Sequence, residues 1–361
     1  MAIMTEDALK KIRNHIDKID KQLFELIKER ANLAAEVAKI KQLQQSPIYY
    51  RPEREAQILR SIVANNTSLL PDREIAQIFR DILSACLALQ EPLSVAYLGP
   101  EGTFSQQAVV KHFGESVNLV PEVSITEVFK LVESGNVHYG VVPIENSTEG
   151  MVNVTLDNLV NSDVQICGEI ALRIRHHFAR IDPDRPLSII YGHQQALAQC
   201  RHWLSVHYPN ASLHEVASNG VAAQMAAENP NSAAICGDNA VEIYKLHKLH
   251  QHIEDYPNNT TRFIILGKQL PGPSGCDKTS LIISTPHEPG SLVNLLAPFG
   301  KYKINMTSIA SRPYRHRNWT YLFFIDFEGH QSESHIQAAL NELASMSVMM
   351  TLLGSYPQTM G

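Results

Sequence analysis

Cations on a long predicted helix are the first residues whose types and spacing could do chemistry. Residues 5–43 contain no proline or glycine, and their apolar side chains recur at spacings of four and three with one interruption, at Arg30. Such a seam is normally buried, so the guanidinium of Arg30 needs an anionic partner there. A bound anion, a structural carboxylate or a return of the side chain to solvent would each satisfy this need, and the periodicity does not choose among them.

Two other cations on this helix point to a bound anion. Lys41 lies 11 residues after Arg30, which returns it to nearly the same helix face about 16 Å away. Arg13 lies 17 residues before Arg30, or about 26 Å away. No small metabolite spans from Arg13 to Lys41. If all three cations bind the same kind of anion, Arg13 serves a site that a second subunit completes, and we expect a homodimer or a higher homo-oligomer.

Two shorter helices are predicted between residues 52 and 90, each opening near a proline. Arg54 and Glu55 lie on the first of them. Cys86 and Gln90 lie one turn apart on the second. These four side chains can line one cavity.

Polar residues also follow predicted strands in a segment of α/β character, from about 93 to 270. A strand at 93–97 leads into a glycine turn and a hydroxyl-rich helix start, which exposes backbone N–H groups to an anion. A second strand ends at Glu145 and Asn146, and a polar turn at 258–261 feeds another strand. Open α/β sheets place ligand groups at such strand ends. Each piece alone is also compatible with an ordinary turn or cap.

Composition limits the class of protein. At roughly 150 residues per domain, a chain of 361 residues is expected to hold two or three domains. The formal net charge of −6 argues against a general binder of nucleic acid or anionic membranes. Charged residues number 27 among the first 91 and 41 among the other 270, which indicates a module boundary near Glu91. Because the sequence shows no signal peptide, no membrane-length apolar run and no CxxC pair, we expect a reduced, cytoplasmic protein.

The histidines at 247, 250 and 252 form a cluster that could hold a metal ion. No constellation of carboxylates accompanies them in the sequence, so we interpret them as the polar end of a helix. The scattered cysteines do not add a thiolate zinc site. We expect neither a metal nor another cofactor.

The N-terminal 92 residues resemble the all-helical chorismate mutases. The resemblance is carried by Arg13, by RANLAAEVAKIK at 30–41, by RPERE at 51–55 and by a helix ending at Gln90. The reaction that it implies, chorismate to prephenate, is a unimolecular pericyclic rearrangement. It requires a cage that enforces the folded conformer and cations placed where the breaking ether gains charge, but no nucleophile or general base.

That resemblance implies a role for each polar residue of the segment. Arg30 and Lys41 would hold the two substrate carboxylates and the ether oxygen, and Arg13 would come from the partner chain. Glu55 would hold the ring hydroxyl and Gln90 the ether oxygen. The further substrate-contacting residues that it implies are Arg54 and Cys86.

The α/β segment resembles prephenate dehydratase through GPEGTFS at 99–105, VPIENS at 142–147 and TRF at 261–263. That family folds as two α/β lobes flanking a cleft, like a periplasmic solute-binding protein, and its chain returns late to the first lobe. The resemblance implies that Thr261 is essential for dehydration and that Arg262 lies beside the substrate carboxylates. The other substrate-binding residues that it implies are Thr103, Ser105, Glu145, Asn146, Ser147, Ser218, Asn219 and Phe263.

The chemistry of this second reaction suits a threonine. Prephenate expels its ring hydroxyl together with carbon dioxide, and aromatisation to phenylpyruvate drives the step. Because a threonine hydroxyl is a weak acid, Thr261 is expected to donate a hydrogen bond to the departing hydroxide. Our hypothesis for the proton source is Glu145.

Residues 278–361 alternate predicted strands and helices in the ferredoxin-like order βαββαβ. With GSLV at 290–293, INMT at 304–307 and SRP at 311–313, they resemble the ACT domain fused to prephenate dehydratases. The resemblance implies that phenylalanine binds at an interface between subunits and inhibits the enzyme. Ala310 stands where the family commonly has glutamate. The effector-binding residues that it implies are Gly290, Ser291, Leu292, Val293, Ser311, Arg312 and Pro313.

We therefore expect a bifunctional enzyme of phenylalanine biosynthesis with three domains. These are an all-α mutase domain at 1–92, a two-lobed α/β dehydratase domain at 93–270 and an α+β ferredoxin-like ACT domain at 278–361. One alternative keeps only the dehydratase, with helices that serve to dimerise, and the retained mutase cations argue against it. A second alternative is a non-catalytic solute-binding or amino-acid-sensing protein with the same two-lobed fold, which the TRF motif disfavours.

Overall fold

The N-terminal region is a long helix followed by two shorter ones, as the periodicity predicted. The computed structural model of the chain describes residues 2–43, 48–286, 288–313 and 321–359. The helices of this region are α1 (Ala2–Gln42), α2 (Pro52–Ala64) and α3 (Asp72–Ala88). The third helix thus ends shortly before Gln90, where the sequence predicted its end.

Helix α1 leaves most of its predicted seam exposed. Among its described side chains only Ala34 and Ala38 are buried, and the helix contacts α3. Eleven of its large apolar side chains are exposed, from Leu9 to Ile40, with Phe24 at 65%. An apolar face of this extent on a soluble helix marks an interaction surface.

Residues 94–267 form eleven strands and seven helices. The strands are β1 (Ser94–Leu98), β2 (Asn118–Glu122), β3 (Tyr139–Asn146), β4 (Gly150–Met151), β5 (Gln165–Arg173), β6 (His177–Arg180), β7 (Ile189–His193), β8 (Ser212–Val216), β9 (Ser232–Cys236), β10 (His247–His250) and β11 (Thr260–Gly267). The helices are α4 (Phe104–Phe113), α5 (Ile125–Ser134), α6 (Asn153–Val160), α7 (Gln194–Gln199), α8 (Arg201–His207), α9 (Asn219–Glu228) and α10 (Asp238–Ile243).

These elements form two lobes, each around its own sheet. The first sheet has the order β2-β1-β3-β11-β5, with β4 paired to β3, and the second has the order β10-β6-β9-β7-β8. Strand β11 lies antiparallel between β3 and β5, after the chain has passed through the second lobe. The late return to the first lobe is thereby confirmed. The histidines at 247 and 250 lie on the edge strand β10, which corrects the expectation of a helix end.

The C-terminal domain has the predicted order βαββαβ. Its elements are β12 (Asp277–Ser284), α11 (Ser291–Lys301), β13 (Met306–Pro313), β14 (Tyr321–Glu328), α12 (Ser334–Met346) and β15 (Met349–Pro357). The antiparallel sheet has the order β13-β14-β12-β15. One buried cluster joins this sheet to the first lobe, because Ile282 and Phe324 of the domain pack with Val142 and Ile264 of the lobe. The C-terminal domain therefore sits directly behind the strands β3 and β11.

Candidate active site

A cavity of about 890 Å³ lies between the two lobes. The first lobe lines it with the turn after β1 and the ends of β3 and β11 where polar residues cluster, and the second lobe with the turn after β7 and the start of α9. This volume falls within the range of small-molecule sites. The predicted substrate-binding and catalytic residues that line it are Thr103, Ser105, Asn146, Ser218, Asn219, Thr261 and Phe263.

Thr261 is held by the side chain of Asn146. The amide nitrogen Nδ2 of Asn146 donates to Oγ1 of Thr261 at 2.8 Å and to Oδ1 of Asn259 at 2.8 Å. The amide oxygen of Asn146 accepts from the backbone N–H groups of Thr148 and Glu149, which fixes the orientation of the amide. Since the hydroxyl oxygen of Thr261 accepts from Asn146, its hydrogen is free to donate into the cavity.

The hydrogen-bond network continues to a buried histidine that sequence reasoning missed. Asn259 donates through Nδ2 to Oε1 of Gln199 at 2.9 Å, and Nε2 of His176 lies 2.8 Å from the same oxygen. Because an amide oxygen only accepts, His176 must donate from Nε2. Burial lowers the pKa of His176. The side chain is therefore neutral at pH 7, and its Nδ1 is buried with no hydrogen-bond partner among the described residues.

Two of the predicted site residues, Thr103 and Ser147, form hydrogen bonds between their hydroxyl groups and the backbone. The hydroxyl of Thr103 donates to the carbonyl oxygen of Pro100 at 3.0 Å and accepts from the N–H of Gln106 at 3.4 Å, which caps helix α4. The hydroxyl of Ser147 accepts from the N–H of Thr260 at 3.0 Å and does not line the cavity. Both hydroxyls thus stabilise the backbone conformation near the cavity.

The start of α9 brings the second lobe against the first. Ser218 caps this helix, and Oδ1 of Asn219 accepts from the backbone N–H of His193 at 3.1 Å. A Cβ atom at Gly220 would lie 2.3 Å from the carbonyl oxygen of Glu101 in the first lobe. The lobes can therefore meet here only because residue 220 is glycine.

Arg262 and Glu145 lie outside the cavity, although each is the neighbour of a residue that lines it. Successive residues of a strand point to opposite faces of the sheet, so Arg262 faces away from Thr261. The Nε atom of Arg262 lies 3.4 Å from Oε2 of Glu145. The guanidinium also binds Glu169 and Asp326 behind the sheet. Neither side chain therefore lines the cavity in which the substrate is expected, and the substrate contact of Arg262 and the proton transfer from Glu145 stay predictions.

A second cavity, of about 1130 Å³, lies between α2, α3 and the first lobe. Glu55 lines it, and burial raises the pKa of Glu55 to about 7 against the opposing charge of Arg80. This differs from the expectation that Glu55 shares a cavity with Arg54, Cys86 and Gln90. The predicted mutase residues that do not line this second cavity are Arg13, Arg30, Lys41, Arg54, Cys86 and Gln90. Of the predicted mutase residues, which all lie in the described part of the chain, Glu55 alone lines this cavity.

Two polar residues of the helical region, Lys41 and Gln90, lie outside this second cavity. The Nζ atom of Lys41 donates to the carbonyl oxygen of Tyr49 at 3.2 Å, and burial, followed by the charge of Arg51, lowers the pKa of Lys41. Two cations held near each other favour an anion. The Oε1 atom of Gln90 is buried and has no hydrogen-bond partner among the described residues, an arrangement that native proteins normally avoid.

The predicted effector residues lie at one end of the C-terminal sheet. Gly290 precedes helix α11 with a φ of +85°, and residues 291–293 form the first turn of that helix. Residues 311–313 end strand β13, which runs parallel to β12 because both are antiparallel to β14. The Nη2 atom of Arg312 lies 2.8 Å from Oδ1 of Asp157 on α6. One predicted effector residue therefore contacts the dehydratase domain.

Among the described residues, histidine, cysteine, aspartate and glutamate side chains form no group of three or more that could hold a metal ion. None of the described helices combines the length and apolarity needed to cross a bilayer.

Three protein families match consecutive parts of the chain. Chorismate mutase type II matches residues 12–91, prephenate dehydratase matches residues 95–270, and the ACT domain matches residues 279–345. The order of these matches is the order of the three domains in the structure.

Similar proteins match the chain from end to end. A bifunctional chorismate mutase/prephenate dehydratase of Pseudomonas aeruginosa is 49% identical over 98% of this chain and 98% of its own length. One from Neisseria gonorrhoeae is 45% identical over 96% of each chain. The crystal structure of prephenate dehydratase from Arthrobacter aurescens in complex with L-Phe is 32% identical, with a TM-score of 0.68 over 73% of this chain and 90% of that one.

Proposed function

Because the chain belongs to the family of bifunctional chorismate mutase/prephenate dehydratases, we propose that the cavity between its two lobes is the dehydratase site and that Thr261 is the catalytic residue. The observation that carries this proposal is the hydrogen bond from Asn146 to Thr261. It leaves the threonine hydroxyl with a hydrogen to donate, in a cavity large enough for a small diacid.

Dehydration then proceeds with one donated hydrogen bond. The bond between the ring and the carboxylate breaks, carbon dioxide leaves, and the electron pair of that bond completes the aromatic ring. The ring carbon–oxygen bond breaks at the same time, and the oxygen leaves as hydroxide, which takes a proton from the solvent to become water. The hydroxyl of Thr261 stabilises the charge that develops on this oxygen.

The substitution Thr261→Val tests this role, because valine has nearly the same shape and no hydroxyl. We expect the dehydratase kcat to fall about a hundredfold or more, while the KM for prephenate changes little. Thr261→Ser, which keeps the hydroxyl, should retain much of the activity. Mutase activity, measured on the same samples, reports the amount of folded enzyme. A Thr261→Val variant with normal dehydratase turnover would remove Thr261 from the reaction.

For the mutase, we propose a site shared by two chains, with Arg30, Lys41, Glu55 and Gln90 from one chain and Arg13 from its partner. The exposed apolar face of α1 supports this proposal, because burying even half of its eleven exposed side chains would contribute on the order of 10 kcal/mol. The two cations Lys41 and Arg51, which lie near each other, support it further. Arg54 and Cys86 complete the proposed substrate contacts.

We also propose that phenylalanine binds the ACT domain and inhibits the enzyme. The residues proposed for this site are Gly290, Ser291, Leu292, Val293, Ser311, Arg312 and Pro313. Support comes from the relative that was crystallised in complex with L-Phe and from the position of the two motifs at one end of the sheet. The bond from Arg312 to Asp157 supports a connection to the dehydratase domain.

One experiment tests the whole proposal. Chorismate is supplied to the purified protein, and prephenate and phenylpyruvate are followed with and without phenylalanine. We expect chorismate to disappear, phenylpyruvate to form, and phenylalanine to slow its formation. A protein that consumes prephenate but not chorismate would be a dehydratase with dimerising helices instead.

We place the protein in the cytoplasm. Its relatives are biosynthetic enzymes, and its five cysteines are free thiols, four of them buried. We propose domain bounds of 1–92, 93–270 and 278–361, and the family matches at 12–91, 95–270 and 279–345 support them.

A further inference from the structure

Arg262 belongs to a buried cluster of charges that the dehydratase and ACT domains share. Its Nη1 atom lies 2.6 Å from Oδ2 of Asp326 and 3.3 Å from Oε2 of Glu169. The Nζ atom of Lys278 lies 2.7 Å from both carboxylate oxygens of Glu169. Asp326 is on β14 and Lys278 on β12, so the ACT domain supplies half of the cluster.

Asp326 is itself held in place from the ACT side. The hydroxyl of Ser280 donates to Oδ1 of Asp326 at 2.6 Å and lies 2.7 Å from the buried phenol of Tyr356. The side chains of Arg262 and Asp326 are only 16% and 10% exposed. Burial by itself would lower the pKa of Arg262, but the facing carboxylates of Asp326 and Glu169 raise it, so the guanidinium stays charged. Where so little solvent enters, removal of one charge leaves its partner uncompensated.

The pairing of the strand that carries Thr261 and Arg262 is irregular at this point. In the pairing of β11 with β3, Thr261 lies opposite Asn146 and Arg262 opposite Glu145, and the register then shifts so that Phe263 lies opposite Pro143. Ile144 is thus an extra residue on β3, and a bulge of this kind interrupts the ladder of backbone hydrogen bonds and bends the strand that carries it. Because Arg262 lies directly beside this bulge, its side-chain bonds on one face of the sheet help to fix where Thr261 points on the other face.

We infer that Arg262 is a positioning residue for the dehydratase and that Asp326 of the ACT domain is its anchor. The inference rests on the proposed role of Thr261. By binding Asp326 and Glu169 behind the sheet, Arg262 holds the end of β11 that lies beside the bulge of β3, and with it the hydroxyl of Thr261 beside Asn146. The ACT domain thus completes the dehydratase site without touching the substrate.

The substitution Asp326→Asn separates this role from substrate binding. It removes the charge that anchors Arg262 and leaves the cavity untouched. We expect the dehydratase kcat to fall about tenfold, with a KM for prephenate within about twofold of the parent enzyme. Arg262→Lys should act in the same way, and the double variant should be little worse than the worse single variant, because both break the same contact.

Internal controls come from the same chain. Mutase activity on each sample reports folded enzyme. Glu342→Gln makes the same change of carboxylate to amide within an exposed ion pair with Lys301 on the ACT helices, and it should leave the dehydratase kcat unchanged. If Asp326→Asn also lowers mutase activity, Ser280→Ala takes its place, because it keeps the charge of Asp326 and removes the hydrogen bond that orients it, together with the contact to Tyr356. For Ser280→Ala we then expect the dehydratase kcat to fall while the KM for prephenate and the mutase activity stay unchanged.

Two results would overturn the inference. One is a parental kcat for Asp326→Asn, or for Ser280→Ala where it replaces that variant. The other is a raised KM for Arg262→Lys together with parental kinetics for the Asp326 variant, which would show that Arg262 binds the substrate. Thr261→Val distinguishes these results from a failure of the proposed function. If Thr261→Val is inactive while the Asp326 variant is normal, only the positioning role fails, whereas an active Thr261→Val refutes the catalytic role itself.

Discussion

The amide nitrogen of Asn146 lies 2.8 Å from the hydroxyl oxygen of Thr261, and the two residues stand directly opposite each other on strands β3 and β11. The amide can only donate at this contact, because its oxygen is occupied by the backbone of the following turn. Because Thr261 accepts the hydrogen bond from Asn146, its own hydroxyl hydrogen is left to donate elsewhere. The threonine hydroxyl must send its hydrogen into the cavity.

Reversing that direction should impair dehydration. In the variant Asn146→Asp, the carboxylate accepts where the amide nitrogen donated, so Thr261 turns its hydrogen toward residue 146. We expect the dehydratase kcat to fall about tenfold or more, with mutase activity unchanged. Asn158→Asp is the matched control, because Asn158 also donates to a threonine, Thr126, but away from the cavity. Equal turnover of the two variants would argue against the orientation of the hydroxyl as the cause.

Complementation between chains should reveal the shared mutase site. Arg13→Ala and Arg30→Ala chains should each lack mutase activity as homodimers. In a mixed dimer, one site receives the intact Arg30 of one chain and the intact Arg13 of the other. Random assembly of equal amounts should then restore about a quarter of the parental activity.

The control mixture combines Arg30→Ala with Lys41→Ala. Both residues are proposed to come from the same chain, so each site of the mixed dimer carries a lesion and no activity should return. Recovery in the control, or none in the first mixture, would contradict the assignment of Arg13 to the partner chain.

The pH profile of the mutase should depend on whether residue 90 titrates. An amide at Gln90 donates at every pH, whereas a carboxyl in Gln90→Glu donates only when it is protonated. We expect the activity of the variant, divided by that of the parent at the same pH, to fall about tenfold per unit once the introduced carboxyl ionises. Titration of Glu55 is common to both enzymes and cancels in the ratio. A ratio that stays constant from pH 5 to pH 8 would remove residue 90 from the reaction.

His112 should make the enzyme less stable in mild acid. Burial, followed by the charge of Arg80, lowers its pKa to about 3. The unfolded chain binds this proton near pH 6.5 and the folded chain does not, so the free energy of unfolding falls as the pH drops below 6.5. At up to about 1.4 kcal/mol per pH unit, this residue should contribute a loss of about 2 kcal/mol between pH 7 and pH 5.

Urea unfolding at the two pH values measures that loss. His112→Gln keeps an acceptor for the hydroxyl of Tyr50, which lies 3.2 Å from Nε2 of His112, and cannot titrate. Its stability should therefore change less between pH 7 and pH 5 than that of the parent. The exposed histidine in His202→Gln serves as the control. A loss in His112→Gln as large as in the parent would assign the effect to other groups.

The local sequence pattern was sufficient to predict the helices and strands and their order along the chain. The seam of residues 5–43 predicted the long helix because a side chain recurs on the same helix face at spacings of three and four. A strand end led to Asn146, because open sheets of this class bind ligands where such strands end. The resemblance to prephenate dehydratase led to Thr261, Ser218 and Asn219, and all four residues line one cavity. The order βαββαβ could be read in the same way.

Orientation and long-range assembly were decided by the tertiary structure. TRF at 261–263 carries no sign of which face of the sheet is the cavity, and a shift of one residue would exchange Thr261 for Arg262. Asn259, Gln199 and His176 meet only because β11 returns between β3 and β5 and the second lobe closes against that edge. The pleat of a strand places the side chains of neighbouring residues on opposite faces of the sheet. Packing and charge bring residues that are distant in the chain into contact. Local spacing in the sequence encodes neither relation.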